Sequence, residues 1–126
     1  MVLHVNTVTF DAEEPIELAG FWATVFGADE PDVVNPFCAI VDNPGGPNLM
    51  FIKVPESKGA KNRMHFDLHA PDADVVDAEA ERLVRAGASL ISSNEEHGVY
   101  WKTLRDPEGN EFCVGTPLPG HALDDE

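Results

Sequence analysis

Two stretches of this 126-residue chain echo each other, and that echo limits what it can fold into. HVNTVTFD (residues 4–11) leads into an apolar-striped segment ending Phe26-Gly27-Ala28. HFDLHAPD (residues 65–72) leads into a similar segment ending Ala86-Gly87-Ala88. From His to Asp is seven positions in both; from Asp to Gly is 16 in the first and 15 in the second. A Gly/Pro-containing turn follows in each half, DNPGGPN (42–48) and DPEGN (106–110). A duplicated supersecondary unit leaves this kind of trace.

Hydrophobic periodicity fills in the unit. Residues 2–10 are β-branched and apolar, a strand signal. Its alternation is imperfect, which suggests a bulge or burial on both faces. Asp11 with Glu14 resembles a capping box, whereas Glu14-Pro15 suits N-cap and N1. Leu18, Phe21, Trp22, Val25 and Phe26 then form one helical stripe. Residues 36–41 and 49–54 read as strands flanking the DNPGGPN turn. Residues 64–69 alternate, with Met64, Phe66 and Leu68 on one face and His65, Asp67 and His69 on the other. Asp72 or Asp74 caps a second helix with the stripe Val76, Ala80, Leu83 and Val84, ended by Gly87. Strands at 89–91, 100–104 and 111–114 follow. The expected fold is α+β: two βαβββ modules, one spanning about 1–60 and one about 61–116, in a single domain of residues 1–116. The acidic, proline-broken tail 117–126 is expected to fray.

Charge excludes several functions. Eight Lys and Arg against 23 Asp and Glu give a net charge of −15, which repels nucleic acid and anionic membranes. Four of the eight cations, Lys53, Lys58, Lys61 and Arg63, crowd into one polar stretch that reads as a solvated loop. No uncharged apolar run nears the ~18 residues of a membrane span. The N-terminus lacks the basic and apolar regions of a secretory signal. Cys38 and Cys113 form no CxxC pair, which suits a reducing cytoplasm. Both read as small buried hydrophobes. GxGxxG, GxxxxGK[ST] and GxSxG are absent.

FWATVFGA (21–28), KNRMHFDL (61–68) and LRDPEGNEFCV (104–114), in this order, resemble the glyoxalase/bleomycin-resistance/extradiol-dioxygenase (vicinal oxygen chelate) superfamily. The similarity is to its small glyoxalase-like single-domain members and runs from about residue 2 to 116. It implies two βαβββ modules curling into an incomplete barrel around a cleft. It also implies a homodimer, with the cleft formed within one chain or shared with a partner. Many members hold a divalent metal that binds adjacent oxygens of a substrate; others sequester a ligand without metal.

Carried onto this chain, the resemblance makes His65 and Glu111 metal ligands, with Glu111 also moving protons in a glyoxalase-type reaction. Imidazole plus carboxylate suits Fe, Mn, Ni or Zn. A histidine bonded to main chain or to Asp67 is the ordinary alternative for His65. His69 shares its face, but four strand residues span about 13 Å, so one ion cannot take both. The third ligand falls on His4 when counted back from Asp11, and at Thr7 when counted from a helix starting at Glu14-Pro15. These have opposite parity, so a regular strand presents one of them to the cleft. Trp22, Phe37, Tyr100 and Trp101 are candidate ligand-binding aromatics. Because Tyr100 and Trp101 are adjacent on a strand, one faces each side. Two functions follow. One is a metal-dependent lyase, isomerase or dioxygenase acting on a small vicinal-oxygen molecule. The other is a metal-free protein that traps a cationic or aromatic compound, suited by the negative charge.

Overall fold

A computed structural model describes residues 5–60 and 62–118 of the chain. It divides into two compact units, residues 1–59 and 60–126. The first runs β1 (Thr7–Ala12), α1 (Pro15–Val25), β2 (Asp32–Asn35), β3 (Cys38–Val41), β4 (Asn48–Lys53). The second runs β5 (Phe66–His69), α2 (Ala73–Arg85), β6 (Ser89–Glu96), β7 (Val99–Arg105), β8 (Glu111–Pro117). Each is a βαβββ module with a four-stranded sheet, ordered β1-β4-β3-β2 and β5-β8-β7-β6. The first and last strands of each module are parallel; the other pairs are antiparallel. Neither sheet closes on itself.

The sequence echo has a local physical cause. Helix α1 ends with Ala28 N–H donating to the Ala23 carbonyl at 2.8 Å and Gly27 N–H to Thr24 at 3.1 Å. Helix α2 repeats this: Ala88 donates to Leu83 at 2.9 Å and Gly87 to Val84 at 3.1 Å. This is a Schellman motif, and it needs a left-handed residue at the helix exit. Gly27 (φ 72°) and Gly87 (φ 125°) supply it. The helix starts differ. Pro15 occupies N1 of α1 behind Glu14, whose side chain makes no capping bond, so the Asp11 capping box does not form. Asp72 caps α2 and accepts from Val75 N–H at 2.9 Å.

Each helix covers one face of its own sheet. In module one Phe10 and Phe51, paired across β1 and β4, meet at 5.1 Å between ring centres. Trp22 lies 6.1 Å from Phe10 and 6.0 Å from Phe26 and stands edge-on to Phe21. In module two, Val76, Ala80 and Leu83 of α2 are buried, as are Leu104, Phe112 and Val114 of β7 and β8.

Several expected boundaries shift. Strand β1 pairs with β4 in unbroken register from Thr7 to Ala12, so the bulge inferred from uneven alternation does not occur there. The edge strand β2 escaped the sequence reading, being four residues long and wholly exposed. Strand β6 runs five residues beyond the expected 89–91, because its polar SSNEE segment pairs with β7 instead of burying itself. Pro117, expected in the tail, ends β8 opposite Val99. Val84 is 43% exposed and so lies off the buried stripe of α2. Residues 119–126 of the tail, Lys61 of the basic stretch and His4 lie outside the described residues.

Candidate functional site

Strand parity in module two builds a polar face opposite the one that α2 covers. Successive strand side chains point to opposite sides. Phe66, Leu104, Phe112 and Val114 pack inward, which turns His65, Asp67, Trp101, Thr103, Glu111 and Cys113 outward. These six line one hollow of about 660 Å³. The parallel register sets Asp67 beside Cys113 and Phe66 beside Phe112.

The DPEGN turn fixes where β8 begins. Asp106 is buried, and its carboxylate accepts from the Glu108 and Asn110 main-chain N–H groups, both at 2.9 Å, and from the Asn110 side chain. Gly109 takes φ 89° to close the turn. Asn62, from the KNR segment, reaches the same point. Its side-chain oxygen accepts from Glu111 N–H at 3.0 Å. Two of the motifs that carry the family resemblance are thus bonded to each other at the root of Glu111.

Polar contacts on the open face are close. His65 Nδ1 lies 3.3 Å from Asp67 Oδ1. Arg105 Nη2 lies 3.5 Å from Glu111 Oε2, whose side chain is 17% exposed. Thr103 Oγ1 and Cys113 Sγ are 3.5 Å apart. Burial pushes the Cys113 thiol up in pKa; the Thr103 hydroxyl opposes this, while Asp67 and Glu111 add to it. One ligand atom each from His65, Asp67 and Cys113 all lie within 4.8 Å of one another. Imidazole, carboxylate and thiol are donors that bind first-row divalent metals, so the residues present suit such an ion.

The candidate aromatics separate. Trp101 lines the hollow. Tyr100 does not: it faces α2, where its hydroxyl donates to Asp77, and Lys102 joins the same carboxylate at 3.2 Å. Trp22 is 1% exposed inside the module-one aromatic cluster and offers no surface to a ligand. Its helical stripe was a core stripe. Phe37, 63% exposed, sits in the turn between β2 and β3. Thr7 has the parity opposite to Phe10, so it lies on the face of β1 away from the aromatic core.

Of the six residues on this face, sequence reasoning missed Asp67, Thr103 and Cys113. Asp67 already stood on the His65 face. Cys113 shares parity with Glu111, two positions away, so the signal was there. It was read instead as a small buried hydrophobe. The structure places it half-buried on the polar side.

The sequence profile of the glyoxalase-like domain family matches residues 7–115. The chain belongs to the glyoxalase-like domain family. Solved structures agree in fold. A glyoxalase/bleomycin resistance protein/dioxygenase family enzyme from Burkholderia phytofirmans PsJN superposes with TM-score 0.76 at 21% identity, covering 92% of this chain and all of that one. A glyoxalase-related enzyme from Fulvimarina pelagi gives TM-score 0.74 at 21% identity over 91% and 88% of the two chains. Oxidase ChaP-H1 gives 0.70 at 19% identity over 94% and 99%. No curated protein matches the chain. The glyoxalase-like fold places it in the vicinal oxygen chelate superfamily, whose members commonly bind small molecules, often with a metal ion, and often dimerise. No helix among the described residues is long and apolar enough to cross a membrane.

Proposed function

We propose that this glyoxalase-like protein acts on a small molecule with adjacent oxygens, seated on the open face of the β5-β8-β7 strands. In this reading a divalent ion is anchored by His65. The observation that carries it is that His65 and Glu111, the two positions implied by the family resemblance, line the same hollow. A bound ion would supply Lewis-acid polarisation of the substrate oxygens. Glu111 is placed either to share the ion or to take a proton from the substrate. The Asn62 contact fixes the backbone at its root, and Arg105 keeps a positive charge beside its carboxylate. Trp101 supplies an apolar wall. His4, the third ligand in the family pattern, stays in this proposal as a candidate, and with it Thr7. A homodimer and a cytoplasmic location also belong to this reading.

The test is the metal content of protein prepared without a histidine tag. Retained Fe, Mn, Ni or Zn that is lost in His65→Ala supports the reading. Equal, negligible metal in both overturns it.

A second reading is favoured by the neighbourhood of Trp101. An indole lining the same hollow as Asp67 and Glu111, in a chain of net charge −15, suits a cationic aromatic ligand held without metal. Chelator-treated protein whose tryptophan emission is quenched by a cationic aromatic dye, but not by its anionic analogue, would support that alternative.

A further inference from the structure

We infer that the ion's remaining donors come from the same module, and that they are the Asp67 carboxylate and the Cys113 thiolate. This deepens the proposed function and rests on its reading of His65 as a metal anchor. The resemblance implies nitrogen and oxygen donors; a sulfur donor changes which ion the site selects.

Distances carry the inference. Two nitrogen or oxygen ligands held ~2.0 Å from a tetrahedral ion stand ~3.3 Å apart. His65 Nδ1 and Asp67 Oδ1 are 3.3 Å apart. With a metal–sulfur bond of ~2.3 Å, a thiolate stands ~3.5 Å from each of the other two ligands. All three ligand atoms already lie within 4.8 Å of one another, so rotamer adjustments on a fixed backbone complete the triad. That backbone is stiff where it matters, because Asp67 and Cys113 are register partners in adjacent strands. The hollow that these donors line has room for a small molecule beside them.

Chemistry selects the ion. One imidazole, one carboxylate and one thiolate form a mixed, borderline-soft set, which favours Zn²⁺ over Mn²⁺ or Mg²⁺. Binding displaces the Cys113 thiol proton to solvent. The surplus of 15 negative charges raises the local concentration of any cation. Glu111, paired with Arg105, then stays outside the triad and faces the substrate.

Cobalt(II) is the probe, since it replaces zinc and reports sulfur ligation by a thiolate-to-metal charge-transfer band. Metal-free full-length protein is titrated with Co²⁺ and then with Zn²⁺ as competitor. The expected result is tetrahedral visible absorption plus the charge-transfer band. In Cys113→Ser the band should vanish and affinity should fall by at least about tenfold. Asp67→Asn should keep the band but weaken binding; Cys38→Ser and Glu111→Gln should keep both. Circular dichroism establishes that each variant is folded. The inference is overturned, with the His65 anchor intact, if Cys113→Ser leaves the spectrum unchanged while His65→Ala and Glu111→Gln abolish binding. If wild type binds no Co²⁺, or binds it as well as His65→Ala does, both fail together.

Discussion

Tyr100 and Trp101 show how one residue of chain separates structural from functional duty. Tyr100 turns to α2 and donates to Asp77, a bond that raises its pKa to about 12 and lowers that of Asp77. The folded value lies above that of the unfolded chain. The share that rests on the Tyr100 proton is therefore complete below about pH 10 and fades as pH rises beyond it, while the share that rests on the Asp77 carboxylate is lost as pH falls below the ordinary carboxylate range. Tyr100 is the single tyrosine, so phenolate absorbance reports it alone. Alkaline titration should give a midpoint near 12, moving towards about 10 in Asp77→Asn. At the same scale, sequence showed that the pair splits but not which member faces the ligand. The deciding fact is the β7–β8 register, which sets Trp101 opposite Gly115 and Tyr100 opposite Thr116. No periodicity within one strand contains that information. Trp22 was misassigned for a related reason, since an aromatic on a helical stripe looks alike whether it meets a ligand or three phenylalanines.

At the scale of elements, legibility followed burial. Helix α2 and strand β5 carry strong apolar periods, and α1 and β4 dense apolar runs, so their types and positions were readable. Strand β2 has no buried residue, so hydrophobic patterning had nothing to register. The long β6 is mostly polar and owes its length to pairing with β7 through the two-residue His97-Gly98 turn, both at positive φ. Strand β8 carries Glu111 and Cys113 of the candidate site, and Gly115 is its tight point. A Cβ there would come within 2.9 Å of Trp101 Cβ and 3.2 Å of the Tyr100 carbonyl. Because the second neighbour is main chain, the strain cannot be relieved by a rotamer change. Gly115→Ala should cost about 1–3 kcal/mol in urea denaturation and displace the Trp101 wall. The His65–Glu111 face was legible because strands alternate. Asp67 and Cys113 stood on it too, yet the family pattern drew attention to its own positions.

On the scale of the whole chain, duplication is conserved in the scaffold and broken in the chemistry. Both modules keep the parallel outer pair and the same helix exit at Gly27 and Gly87. Among the described residues, the cluster of metal-binding side chains occurs in the second module. The two tryptophans follow the same split: Trp22 is enclosed in the first module, and Trp101 borders the hollow of the second. Nature has thereby left one intrinsic fluorophore in each half. Iodide should quench the emission of Trp22→Phe, where Trp101 alone shines, and barely touch that of Trp101→Phe. Two single-indole proteins would then time the arrival of a ligand and the melting of the other half as separate optical events.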